Sequence, residues 1–161
     1  MVSLENGSMF TNLREKIEAL PRDLTAWIPA RNLMRLVFEA IESTDWPEAT
    51  HVERRTPQPI LATVMTFCYA RGVFSSAEIA ALASEDPDVR YLCARQLPTF
   101  EEIRHFRRQN VALIRETLAR VLSAVWQVSN QNPISFLSFI AEADHRLASA
   151  IEADSAAMDS W

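Results

Sequence analysis

Only two glycines, Gly7 and Gly72, occur in 161 residues, and that scarcity decides the fold class. Tight β-hairpins need residues that accept positive φ, and a loop that cradles phosphate needs several glycines in a short run. Two isolated glycines supply neither. Ala, Leu, Glu and Arg dominate instead, and all four favour helix. With 48% apolar residues the chain can close one substantial core. The expectation is all-α: one domain over residues 1–161, a single bundle of six to seven helices.

The apolar periodicity divides that bundle. "NLREKIEAL" (12–20) places Leu13, Ile17 and Leu20 at helical spacing, and Pro21 stops it. A second helix starts near Ala30, with Leu33, Leu36, Val37, Ala40 and Ile41 on one face. Residues 45–59 hold three prolines and no period, so they form a loop. "PILATVMTFCYARG" (59–72) is apolar almost all round, the pattern of a helix at the centre of a bundle, and Gly72 ends it. "SSAE" (75–78) and "TFEE" (99–102) are capping-box sequences, each opening a helix. A short helix between them begins near Pro87. The second box starts the longest periodic run, residues 100–129, expected to cross the central helix. "NQNP" breaks it, and a last helix and acidic tail fill 130–161.

Charge is distributed unevenly along this framework. Residues 1–89 carry −5, residues 90–120 carry +4 and residues 121–161 carry −4. Concentrated arginine is what phosphate contacts require. On one continuous helical wheel Arg104, Arg108 and Arg115 share a stripe, with His105 beside it. Arg107 falls on the apolar side, so it needs a carboxylate from another helix, a structural role. Arg54 and Arg55, in the proline-rich loop, are the other basic pair. The opposing explanation is a solvated helix face, with Glu101, Glu102 and Glu116 in reach of several arginines.

No other chemistry stands out. His51, His105 and His145 are isolated in sequence, and no CxxC or His/Cys cluster has metal-ligand spacing, so no metal or cofactor is expected. Glu142 and His145 are i,i+3 neighbours on a helix, an ordinary exposed pair. Cys68 belongs to the core as a small hydrophobe, and Trp27, Trp46 and Trp126 read as packing groups. The N-terminus lacks a basic region followed by an apolar run, and no segment reaches membrane-spanning length. A reduced cytoplasmic protein is expected.

The order of these elements resembles the helical N-terminal domain (InsH-like) of bacterial DDE insertion-sequence transposases. The likeness rests on Pro59, Tyr69, Gly72-Val73, Ser75-Ser76-Ala77-Glu78-Ile79, Asp88-Val89-Arg90-Tyr91-Leu92 and Pro98…Ile103…Phe106-Arg107. Upstream, "WIPARNLMRLVFEAI" (27–41) matches the family's Ile-Pro beginning, so the likeness spans residues 27–120. Two steps depart from the pattern: Thr99-Phe100 stands for Asp-His, and Glu102-Ile103 for Thr-Ile. The family's RNase H-like catalytic domain has no counterpart in the 53 residues after Arg108, which hold no glycine and no strand pattern. Asp144, Asp154 and Asp159 do not make a two-metal carboxylate site.

The resemblance therefore implies a non-catalytic, transposase-like helical protein. It would bind double-stranded DNA or regulate a mobile element through a helix-turn-helix-like unit between Ser75 and Arg108. Arg104, His105, Arg108 and Arg115, supported by Arg54 and Arg55, would make the contacts. The alternative is a protein–protein or homo-oligomerisation module, acting through the apolar C-terminal helix without any nucleic acid.

Overall fold

The helix expected from the all-round apolar run is the axis of the molecule. In the computed structural model, which describes residues 20–46, 56–129 and 131–159, it spans Gln58–Ala70. Ten successive residues, Leu61–Ala70, are buried. In chain order the helices are α1 (Ala30–Glu42), α2 (Gln58–Ala70), α3 (Ser76–Glu85), α4 (Pro87–Leu92), α5 (Phe100–Gln109), α6 (Val111–Val128) and α7 (Phe136–Asp159). A 3-10 turn at Leu24–Ala26 precedes them. Among the described residues there are seven α-helices and no strand, and α2 touches all six others. The fold is an all-α bundle. Residues 12–19, where the first helix is expected, lie outside the described residues, as do His51, Arg54 and Arg55.

Local chemistry places the helix ends. Pro59 sits in the first turn of α2, where its missing N–H costs nothing. The C-terminus of α2 closes with two reversed bonds, Val73 N–H to Cys68 O at 2.9 Å and Gly72 N–H to Tyr69 O at 3.2 Å. Gly72 supplies the left-handed residue at φ 76°, and an added Cβ would meet Arg22 Cγ at 2.5 Å. Ser75 Oγ accepts from Glu78 N–H at the start of α3, which is the first half of the expected box. Thr99 and Glu102 complete theirs in both directions on α5.

One expectation is corrected. Residues 100–129 do not form a single helix: the chain breaks at Asn110, with φ −129° and ψ 31°. Asn110 is buried, and its side-chain Nδ2 donates to Phe106 O at 3.0 Å. An asparagine side chain that bonds the local backbone competes with helix propagation, and here it ends α5. Asn110 O then accepts the first bond of α6, from Ile114 N–H at 2.9 Å. The two helices are thus free to take different partners. α5 packs on α2 and α3, while α6 packs on α1, α2 and α7.

Aromatic contacts join the remaining parts. Trp126 lies 6.0 Å from Trp27 and 6.0 Å from Phe139, and Trp46 lies 5.7 Å from Phe106. Ring pairs at these separations add about 0.5–1.5 kcal/mol beyond burial. The three tryptophans are packing groups, as their sequence context indicates. Cys68 and Cys93 are both buried and free. Burial pushes the Cys93 thiol up to about 11 and raises Cys68 as well, so neither is a thiolate at neutral pH.

Two substitutions test the backbone account. Ala94 and Arg95 both have positive φ, 50° and 71°, in a turn closed by Gln96 N–H to Cys93 O at 2.8 Å. Left-handed conformation costs a residue with a Cβ roughly 1–2 kcal/mol, and glycine much less. In urea denaturation, Gly72→Ala is expected to lose about 1–2 kcal/mol. Ala94→Gly is expected to gain up to about 1 kcal/mol, with an unchanged m-value.

Candidate nucleic-acid interface

The basic residues of α5 divide between surface and interior. Helical spacing turns Ile103 and Phe106 into the core, both fully buried. Arg104, one turn before Arg108, is half-buried, while His105 and Arg108 are exposed. Among the described residues neither Arg104 nor Arg108 forms an ion pair. The nearest acid by sequence, Glu102, is engaged elsewhere: its carboxylate accepts from Thr99 N–H at 3.4 Å and from Thr56 N–H at 3.2 Å. Two guanidinium groups at i,i+4 therefore share a side of α5, and neither has a described carboxylate within 4.0 Å.

Arg115 does not extend that face. The break at Asn110 ends the continuous wheel on which the three arginines align. Arg115, on α6, instead pairs with Asp144 of α7 at 3.5 Å, with both side chains partly exposed. Arg120 is also occupied, bonding Glu116 at 2.8 Å and Ser43 O at 3.2 Å. Glu142 is partnered by Arg146 at 3.1 Å rather than by His145. Of the expected contact set, α5 holds Arg104, His105 and Arg108 together, and Arg115 lies on another helix.

Arg107 is 2% exposed, and its partner is Asp154 of α7. Asp154 Oδ1 accepts from Ser76 N–H at 2.8 Å, and Oδ2 accepts from Ser76 Oγ at 2.7 Å as well as from Arg107 Nη1. The Ser76 amide is one of the orphan donors in the first turn of α3, so this carboxylate caps a helix while it neutralises a cation. Burial alone would push the Asp154 carboxyl up. The Ser76 hydroxyl and amide, together with Arg107, outweigh it and hold the carboxyl below its ordinary range. Tyr69 lies beside the guanidinium; burial raises its phenol, and the Arg107 charge opposes that rise. Tyr69 Oη and Arg107 Nε are nonetheless both enclosed without a well-formed hydrogen bond.

Arg146, absent from the sequence-derived set, is a second buried cation at 2% exposure. Its Nη1 donates to Tyr69 O at 2.7 Å and to Arg22 O at 2.9 Å, and its Nη2 donates to Pro21 O at 2.9 Å. A signal for both residues was present. Arg146 and Asp154 interrupt the apolar face of α7 formed by Phe139, Ala143, Leu147 and Ala150. The same wheel argument that places Arg107 in the interior places these two there. They are structural groups, enclosed and unable to reach a ligand.

Among the described residues no cluster of three or more His, Cys, Asp or Glu side chains is placed to hold a metal ion. No helix among them is long and apolar enough to cross a membrane. The chain matches no family model, no curated protein and no solved structure.

The Asp154 network has a definite pH signature. Its folded carboxyl titrates below the unfolded value of about 3.9, so the native state binds fewer protons there. Its contribution is complete at neutral pH and is lost as pH falls below about 4. Asp154→Ala leaves Arg107 buried without its carboxylate, and is expected to lose about 3–5 kcal/mol at pH 7 in chemical denaturation. Asp154→Asn should flatten the acid limb of stability against pH. The double change Arg107→Met/Asp154→Leu should recover much of the loss, because it removes both charges together.

Proposed function

We propose that this chain is a non-catalytic DNA-binding protein that uses the exposed face of α5 against duplex phosphate, in the manner of a transposase N-terminal domain. One observation carries the proposal: Arg104 and Arg108, one helical turn apart, have no carboxylate partner among the described residues. Arg71, Arg107, Arg115, Arg120 and Arg146 are ion-paired, whereas Arg22, Arg31, Arg35, Arg90 and Arg95 share the unpaired state; Arg104 and Arg108 differ from those in standing at i,i+4 within the basic stretch 90–120. Arginines on this face can meet phosphate without first breaking an ion pair. His105 lies between them and offers a further donor. Arg107 anchors the helix from behind through Asp154, and on this reading α3, α4 and α5 act as the helix-turn-helix-like unit that presents it. Fold likeness does not establish function, so the arginines carry this proposal and the resemblance adds to it.

Contacts of this kind orient a duplex without reading its sequence. The net charge of −5 weakens long-range attraction and makes binding strongly salt-dependent. Regulation of a mobile element, by occupying its ends without cutting them, is the role this reading gives the chain. Fluorescence anisotropy with duplex DNA at two salt concentrations tests this. Arg104→Ala/Arg108→Ala is expected to weaken binding about tenfold or more, and to lower the log–log salt slope by about 2. Absence of wild-type binding at low salt ends the proposal.

A second reading, an oligomerisation module, draws on the outer face of α7. Leu137 is 76% exposed and Ile151 is 51% exposed, two heptads apart and so on one side of the helix. If that face joins two copies, light scattering gives a dimer mass for the wild type. Leu137→Glu/Ile151→Glu then returns the monomer.

A further inference from the structure

Beside α7 a cavity of about 570 Å³ opens at Leu20, the first described residue. The apolar part of its lining is accessible: Phe74 and Ala153 are half-buried and Ala156 is exposed. Arg146 of α7 fixes the backbone there, donating from Nη2 to Pro21 O and from Nη1 to Arg22 O, each at 2.9 Å. Whatever directly precedes Leu20 is therefore tethered at the mouth of this cavity.

Most charges around the cavity are already engaged. Glu142 pairs with Arg146 at 3.1 Å. Arg22 donates from Nε to Gly72 O at 3.3 Å, and its guanidinium lies 5.3 Å from the centre of the Phe74 ring. Glu152 is exposed and has no ion pair among the described residues, which leaves it as the lining carboxylate open to a cation.

Residues 12–19 lie outside the described residues, and their sequence complements this lining. In "NLREKIEAL" Leu13, Ile17 and Leu20 fall within about 60° of one another on a helical wheel. With Leu20 in the cavity wall, that phase turns Ile17 and Leu13 the same way. Lys16 and Arg14 flank the apolar stripe, whereas Glu15 and Glu18 fall on the far side. The lengths agree too: Leu13 to Leu20 and Ser149 to Ala156 each cover roughly 10 Å of helix.

We propose that residues 12–20 form an amphipathic strap lying in this cavity along α7. Its stripe of Leu13, Ile17 and Leu20 packs on Phe74, Ala153 and Ala156, with Lys16 toward Glu152. A covalently attached segment needs little intrinsic affinity, since its effective concentration is on the order of millimolar. The strap shields the bonds of Arg146 to Pro21 and Arg22 from water. Leu137 and Ile151 lie roughly a third of a turn or more away around α7, so the inference is independent of both functional readings.

The test is thiol labelling of the full chain, read by mass spectrometry. Ala156 lines the cavity and Ser155, its exposed neighbour, does not. Cys68 and Cys93, both buried, report any opening of the bundle. Ala156→Cys is expected to label at least about tenfold more slowly than Ser155→Cys. Adding Leu13→Glu/Ile17→Glu is expected to bring the two rates together while Cys68 and Cys93 stay unlabelled. Glu15→Ala/Glu18→Ala is expected to leave the protection in place. Equal labelling of the two sites in the otherwise unaltered chain overturns the proposal, as does protection that survives Leu13→Glu/Ile17→Glu. Protection that fades on dilution gives the cavity to a second copy of the chain and overturns it as well. If Leu13→Glu/Ile17→Glu also exposes Cys68 or Cys93, Lys16→Glu decides: lost protection supports the strap, and full protection overturns it.

Discussion

Two buried charges on α7 match in sign the helix ends they meet. Arg146 places its guanidinium on the carbonyls that end α2, and Asp154 places its carboxylate on the first amide of α3. A helix presents partial negative charge at its C-terminus and partial positive charge at its N-terminus. The corner between α2 and α3 brings one of each to the same side of the molecule. A single helix, carrying a cation and an anion two turns apart, satisfies both. Hydrophobic burial holds α7 against α6, but these two groups set its register along the bundle.

Asp154 also carries that register to α5. Its second oxygen receives Arg107, so α3, α5 and α7 meet at one carboxylate. A buried ion pair contributes little compared with a well-packed apolar substitute, yet losing one partner is severe because the other stays buried and unmatched. Such a network selects one arrangement more than it deepens the well. Its consequence for the surface is direct: with Arg107 anchored inward, Arg108 on the same helix is exposed, while Arg104, one turn earlier, stays half-buried with its Nε enclosed. The interior pair thereby holds the candidate interface in place.

How much was legible follows the range of each interaction. The central helix, the complete cap at Thr99 and Glu102, and the stop at Gly72 depend on neighbours within a few residues. They could be read from periodicity and residue type. The break at Asn110 was missed because apolar spacing continues through it, and a buried asparagine bonding its own backbone leaves no gap in that pattern. That miss moved Arg115 from a shared stripe to an ion pair on another helix. Arg107 was recognised as interior from its phase, while Arg146 and Asp154, which obey the same rule, were passed over as parts of an acidic tail.

The sequence by itself determined the class of fold, the helix at its centre and the concentration of arginine in one stretch of an acidic chain. Each of these follows from residue type and short-range spacing, which act before any tertiary contact forms. Only the tertiary structure decided which arginines are spent inside and which remain outside. Pairing requires a carboxylate within a few ångströms, and the decisive partners lie 47 residues from Arg107 and 29 residues from Arg115. Separations of that kind are closed by packing, and periodicity does not encode them.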